Sequence, residues 1–309
     1  MKEEYLVAWN GSLCSQVSER AAQCVCALLR GAHGANTCEA SLLPATAPTR
    51  PPHASLHMTS RARPLNGRAI AGRVCYSDAM RAAVVVFPGL NADAEMIRTL
   101  QLAGAEVTTV WHTETSLPAG TDLVAIPGGF SYGDYLRCGA IAKVGPIMRA
   151  VTEHAARGGY VLGVCNGFQI LTECGLLPGA LTRNAHLRFE CRDIFVKVQA
   201  EGPFSPQVGS VLRLPIAHGE GRYQASEAVL AQLEGEGRIA LVYCARDGEV
   251  SAEANPNGSA RSIAGIYGGP SKNVLGLMPH PERMSEDCLG GTDGLDLFLS
   301  VVRQRPAAA

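Results

Sequence analysis

The ten residues Tyr160-Val-Leu-Gly-Val-Cys165-Asn-Gly-Phe-Gln169 decide how the rest of the chain is read. Tyr160–Val164 is a short apolar, β-rich run, as expected of a strand covered on both faces. A helix is expected almost at once, over Gly167–Cys174, stopped by Gly175. Gly163-x-Cys165-x-Gly167 at a strand-to-helix switch is the pattern of a nucleophile elbow, with Cys where many hydrolases place Ser. Glycine is needed on both sides because such a turn is cramped against neighbouring backbone. The helix N-terminus favours a thiolate, and its free N–H groups can receive an oxyanion. A Cys beside a strand is more often a buried structural residue, but the glycine bracket tips the reading to a nucleophile.

Outward from this stretch, strands are expected at Ala82–Phe87, Glu106–Trp111 and Asp122–Ile126. Between them lie a helix capped by Asn91 or Asp93 and running to Ala103, and a longer helix over Ala140–Arg157. Strand and helix alternate with short connections. This implies an α/β fold, a flavodoxin-like doubly wound, mostly parallel sheet with helices on both faces. Later strands come closer together, at Asp193–Gln199, Val211–His218, Ile239–Ala245, Ala264–Tyr267 and Val274–Met278, before a last helix at Leu295–Gln304. They read as an antiparallel extension of the same sheet, giving one domain over 80–309.

The 309 residues carry 27 Lys+Arg against 28 Asp+Glu, a formal net charge of −1. That balance lacks the electrostatic footprint of a nucleic-acid binder and gives no reason to expect an anionic membrane as partner. No apolar run reaches the length of a membrane span. The 11 Cys are scattered and odd in number, which reads as free thiols in a reducing, cytoplasmic compartment. The Asn-Gly-Ser sequons at Asn10 and Asn257 are then moot.

Residues 1–79 differ in character. Between Ser41 and Ser77 there is no acid, but Arg50, Arg61, Arg63, Arg68 and Arg73 are present, with prolines that break any element. A single helix is expected over Val17–Leu29. Glu3, Glu4 and the segment's length count against a transit peptide, and Cys14, Cys24, Cys26 and Cys38 lack zinc-site spacing. The expectation is a disordered extension, or residues translated upstream of the true start.

Two further strand ends carry chemistry. Met278-Pro-His280-Pro-Glu282-Arg283 follows the apolar run VLGL. A nucleophilic Cys needs a base, and the base needs an orienting group on its other ring nitrogen, so His280 and Glu282 can complete a triad with Cys165. Alone, the same residues would read as a surface turn. Pro127-Gly-Gly129 ends the third expected strand and leaves backbone N–H groups open to a substrate, or forms an ordinary tight turn. His218, at a strand end before Gly219-Glu220-Gly221-Arg222, stays open as a second base, a metal ligand, or part of an interface or substrate loop. Asp134 and Arg137 read as a local ion pair or a partner contact. No P-loop is present, and the GxGxxA string at Gly235–Ala240 precedes a strand, which rules it out as a dinucleotide site.

Together these three places resemble the class I glutamine amidotransferases. The blocks PGGFSYGDYLRCGAIA, VLGVCNGFQILTECGLLPGAL, RNAHLRFECRD, PIAHGEGRY, NPNGSARSIAGI and GLMPHPERM are similar to the family of glutaminase subunits of phosphoribosylformylglycinamidine synthase. The resemblance runs from about Met80 to the C-terminus. It implies that Cys165 forms a glutamyl thioester, His280 acts as base and then acid, and Glu282 orients it. It further implies an oxyanion hole from backbone N–H groups near Gly129 and Asn166, and Gln169 in the glutamine pocket. The ammonia would go to a large synthetase subunit, helped by a small assembly subunit. The chain itself would bind no cofactor, with ATP and Mg2+ used by the synthetase. The alternatives are a Cys-dependent hydrolase or peptidase on the same fold, an amidotransferase for another synthetase, and a non-catalytic binding module.

Overall fold

The computed structural model describes residues 79–304. The 1–78 segment, with the helix expected over Val17–Leu29, lies outside the described residues, as do 305–309. Strands β1 (Arg81–Val86), β2 (Glu106–Trp111), β3 (Leu123–Ile126), β4 (Tyr160–Val164) and β11 (Val274–Leu277) form the parallel half of the sheet, with β11 paired to β4. β3, β4 and β11 are almost wholly buried, as continuous apolar runs covered on both faces must be. Beyond β11 the sheet turns antiparallel through β10 (Ile263–Gly268), β9 (Ile239–Cys244), β6 (Glu190–Val198) and β7 (Val211–His218). The nine-stranded order is β2-β1-β3-β4-β11-β10-β9-β6-β7, the mixed sheet expected.

Helices α1 (Asp93–Leu102), α2 (Ile147–Ala156), α3 (Asn166–Glu173), α4 (Glu227–Gly235) and α5 (Leu295–Val302) complete the described elements of length. Four details depart from the sequence reading. The N-cap of α1 is Ala92, without a side-chain cap; Asp93 is the first helical residue, where its charge suits the positive helix end. The helix expected over Ala140–Arg157 breaks into a 3-10 turn at Ala142–Val144 and α2, because Gly145-Pro146 interrupts the ladder and Pro146 suits a helix start. Helix α4, capped by Ser226 accepting from Val229 N, was not anticipated. Neither was the small pair β5 (Ala180–Thr182) with β8 (Arg222–Gln224).

The curl of the antiparallel half positions the site. Although β7 is the far edge of the sheet, the Pro215 carbonyl accepts from His280 N at 2.8 Å, and the Ala217 carbonyl lies 3.8 Å from Cys165 Sγ. The edge strand therefore folds back over the carboxyl ends of β4 and β11. Pro215 is tolerated inside β7 because it sits on an edge strand.

Candidate active site

Cys165 sits between β4 and α3 with φ 52° and ψ −104°, a conformation that non-glycine residues seldom adopt. The strain is held by packing on both sides. A Cβ on Gly167 would lie 2.1 Å from the Ile126 carbonyl oxygen, and one on Gly163 would lie 2.7 Å from the Gly167 carbonyl. Both obstacles are backbone, so the glycine bracket is a steric requirement.

Parallel pairing of β4 with β11 brings the two ends of the triad together. Val164 stands opposite Leu277, and Cys165 N donates to Leu277 O at 2.8 Å. His280 follows three residues later. A Cβ built on Gly128 would meet both partners, at 3.3 Å from Cys165 Cβ and 2.6 Å from His280 Cε1. The sulfur and the imidazole therefore flank one glycine at the end of β3. The thiol's own hydrogen bond goes to the Ala217 carbonyl, and His280 Nε2 has no hydrogen-bond partner among the described residues. The two groups are electrostatically coupled without a hydrogen bond of good geometry between them, as is common before substrate binds.

His280 Nδ1 lies 2.6 Å from Glu282 Oε1, with both side chains buried. Burial alone would depress the imidazole's pKa. The Glu282 carboxylate and, after it, Cys165 outweigh burial and hold it at about 9. The Glu282 backbone is pinned in turn, because its carbonyl accepts from the hydroxyls of Thr99 at 3.3 Å and Ser285 at 3.2 Å.

Gly129 forms an isolated bridge with Leu90, while the Gly128 carbonyl accepts from the N–H groups of Asn91 and Ala92 at the start of α1. Asn166 opens α3, so its backbone N–H is one of the helix's free donors. Neither Gly129 N nor Asn166 N donates to a protein acceptor among the described residues. The Asn166 side chain ties down the neighbouring loop, accepting from Ser131 N at 3.1 Å and donating to Asp134 Oδ1 at 3.3 Å and Gln169 Oε1 at 2.8 Å. Gln169 Nε2 donates to the Glu220 carbonyl at 2.7 Å. Gln169 thus joins α3 to the loop after β7.

Asp134 and Arg137 do not pair with each other. Arg137 makes a bidentate ion pair with Glu173, at 2.6 and 2.5 Å. Burial, with a smaller push from Glu220, lifts the Asp134 carboxyl to about 6. Gly128, Pro215, Ala217 and Asn184 also shape this site, though the sequence reading did not single them out. Gly128 lay inside the Pro-Gly-Gly signal, but backbone carbonyls on a curled strand leave no mark on residue type.

Residues 79–289 match the family model of the CobB/CobQ-like glutamine amidotransferase domain. The phosphoribosylformylglycinamidine synthase subunit PurQ of Bradyrhizobium diazoefficiens is 57% identical over 234 residues, which is 74% of this chain and 100% of that protein. This chain belongs to the PurQ family. The PurQ subunit of Rhodospirillum rubrum is 52% identical over 227 residues, 72% of this chain and 98% of that protein. A chain in the structure of PurLQS from Thermotoga maritima is 40% identical with a TM-score of 0.64, covering 73% of this chain and 98% of its own length. Membership makes the chain a glutamine amidotransferase of purine biosynthesis. Of the sequence blocks quoted above, VLGVCNGFQILTECGLLPGAL carries β4, Cys165 and α3, GLMPHPERM carries the end of β11 with His280 and Glu282, and PIAHGEGRY carries the end of β7 and its following loop.

Proposed function

We propose that Cys165, His280 and Glu282 carry the glutaminase half of phosphoribosylformylglycinamidine synthesis in this chain. The observation that carries this reading is the buried His280–Glu282 pair at the end of β11, set beside a strained Cys165 at the end of β4. His280 Nε2 holds the proton given up by the thiol, as its raised pKa favours, and the sulfur attacks the side-chain amide carbon of glutamine. The N–H groups of Gly129 and Asn166 receive the negative oxygen. The C–N bond breaks, ammonia leaves with a proton from His280, and a glutamyl thioester remains on Cys165. Water, deprotonated by His280, then releases glutamate. Gln169 forms a wall of the glutamine pocket through its bond to the Glu220 carbonyl.

Ammonia passes to a large synthetase subunit, which converts formylglycinamide ribonucleotide to the amidine. ATP and Mg2+ are used there and not on this chain. The Thermotoga maritima relative was solved as PurLQS, which supports a large synthetase partner and a small third subunit for this chain as well. Among the described residues no helix is long and apolar enough to cross a membrane. We place the reaction in the cytoplasm, and we assign glutaminase chemistry to 80–309, with 1–79 dispensable for it.

Cys165→Ala in the complex tests the reading. Glutamine-dependent synthesis is expected to be abolished, while ammonium salts still support the synthetase reaction. Equal loss with ammonium would place Cys165 in folding or docking instead.

A further inference from the structure

His218, the last residue of β7, is 3% exposed, and its Nε2 has no hydrogen-bond partner among the described residues. Leaving a buried polar atom unpaired is costly, so an orphan of this kind needs an explanation. Its protonation state follows from the neighbouring Asn184, which is fully buried. Asn184 Oδ1 accepts from Gly221 N at 3.1 Å, and Asn184 Nδ2 donates to the carbonyls of Arg188 at 2.7 Å and His218 at 2.9 Å. A backbone N–H can only donate and a carbonyl can only accept, so the amide's orientation is fixed from both sides. His218 Nδ1 faces Asn184 Oδ1 at 3.1 Å and must therefore carry the proton. Nε2 is left as a bare lone pair, able only to accept. Burial and the adjacent His280 charge keep the ring neutral, with its pKa depressed to about 3.

Its place on β7 and the coupling of its ring to His280 relate His218 to the reaction. Pro215 holds His280, Ala217 meets the Cys165 thiol, and His218 is the next residue on the same strand. The substrate brings a matching donor. The side-chain amide of glutamine carries N–H groups, and so does the ammonia it releases, whereas the side-chain carboxylate of the product glutamate only accepts.

Resting on the glutaminase reading above, we infer that His218 Nε2 accepts a hydrogen bond from the side-chain amide nitrogen of bound glutamine and from the ammonia that leaves. The contact orients the departing nitrogen towards the proton on His280. It involves no proton transfer to His218: the sulfur–carbon bond forms, the carbon–nitrogen bond breaks, and the proton comes from His280. A bare lone pair also discriminates between substrate and product, since it rewards the amide and opposes the carboxylate.

The test uses the full chain in complex with its synthetase partner, with L-glutamine and γ-glutamyl methyl ester as paired substrates. Both give the same thioester, but the ester's leaving group has no N–H. Asn at 218 can still donate to Asn184 from the Nδ1 position but offers nothing at Nε2, whereas Gln places an acceptor near Nε2. His218→Asn is expected to lower kcat/KM for glutamine on the order of tenfold, with ester hydrolysis little changed. His218→Gln is expected to recover part of the glutamine rate. Equal losses on both substrates, or no loss on glutamine, would overturn the inference. Nitrogen NMR of labelled histidine in Cys165→Ala, where His218 is untouched, gives a second check. The Nε2 resonance should move on adding glutamine and not on adding glutamate, and an unmoved resonance overturns the inference as well. A wild-type complex inert towards glutamine would instead sink the underlying glutaminase reading.

Discussion

Replacing Glu282 by Gln removes a charge and keeps the shape, which makes the consequence for His280 calculable. The imidazole is held at about 9 instead of its ordinary 6.5 because the Glu282 carboxylate and Cys165 overcome burial. That difference corresponds to about 3 kcal/mol of extra proton affinity in the folded state. The folded value is raised, so the associated stability is fully present below about pH 6.5 and is lost as pH climbs through about 9. With Gln at 282, burial still opposes the charged ring and its main counter-charge is gone, so the midpoint should fall to about 6.5 or below. The amide can also donate to Nδ1, which fixes the wrong tautomer for a base whose working nitrogen is Nε2. Loss of kcat on the order of a hundredfold to ten-thousandfold is expected. Histidine NMR reads the midpoint, urea unfolding across the same pH window reads the linkage, and glutamate release reads kcat. A midpoint still near 9 in Glu282→Gln, or kcat within about threefold of wild type, would refute the reasoning.

Gly167→Ala should destabilise the fold by about 1–3 kcal/mol or more, because the added methyl meets the Ile126 carbonyl at the end of the central strand β3; a urea midpoint unchanged from wild type would show the elbow to be looser than described. A chain started at Met80 is expected to fold and to retain glutamine-dependent synthesis with the partner, measured against the full chain; loss of either would assign residues 1–79 a role in this chemistry.

Much of this architecture was readable from residue order. Alternating apolar runs and glycine stops place the parallel half because the runs of β1, β3, β4 and β11 are covered on both faces and need satisfy only one pattern. The elbow was legible because Gly163 and Gly167 record a steric limit in residue type itself. Elements with weak patterns were lost. Helix α4 buries only Leu230 and Leu233, and β5 and β8 are three residues each, too short to show a period. The curl of β7 over the ends of β4 and β11 depends on the whole sheet's twist, so the roles of Pro215 and Ala217 carbonyls could not be read from a sequence. His218 could be flagged as chemistry-bearing, but its tautomer depends on an Asn thirty-four positions away. Gly145-Pro146 lies inside the helix expected over Ala140–Arg157 and is the residue-level mark of the break found there.

The most direct test is to mix the complex with labelled glutamine, quench rapidly, and locate the label by peptide mass spectrometry. A glutamyl group on the peptide bearing Cys165, absent from Cys165→Ala and cleared as glutamate appears, is the expected result. Glutamine hydrolysis at full rate with no adduct at Cys165, or with the adduct on another cysteine, would contradict the assignment of the nucleophile.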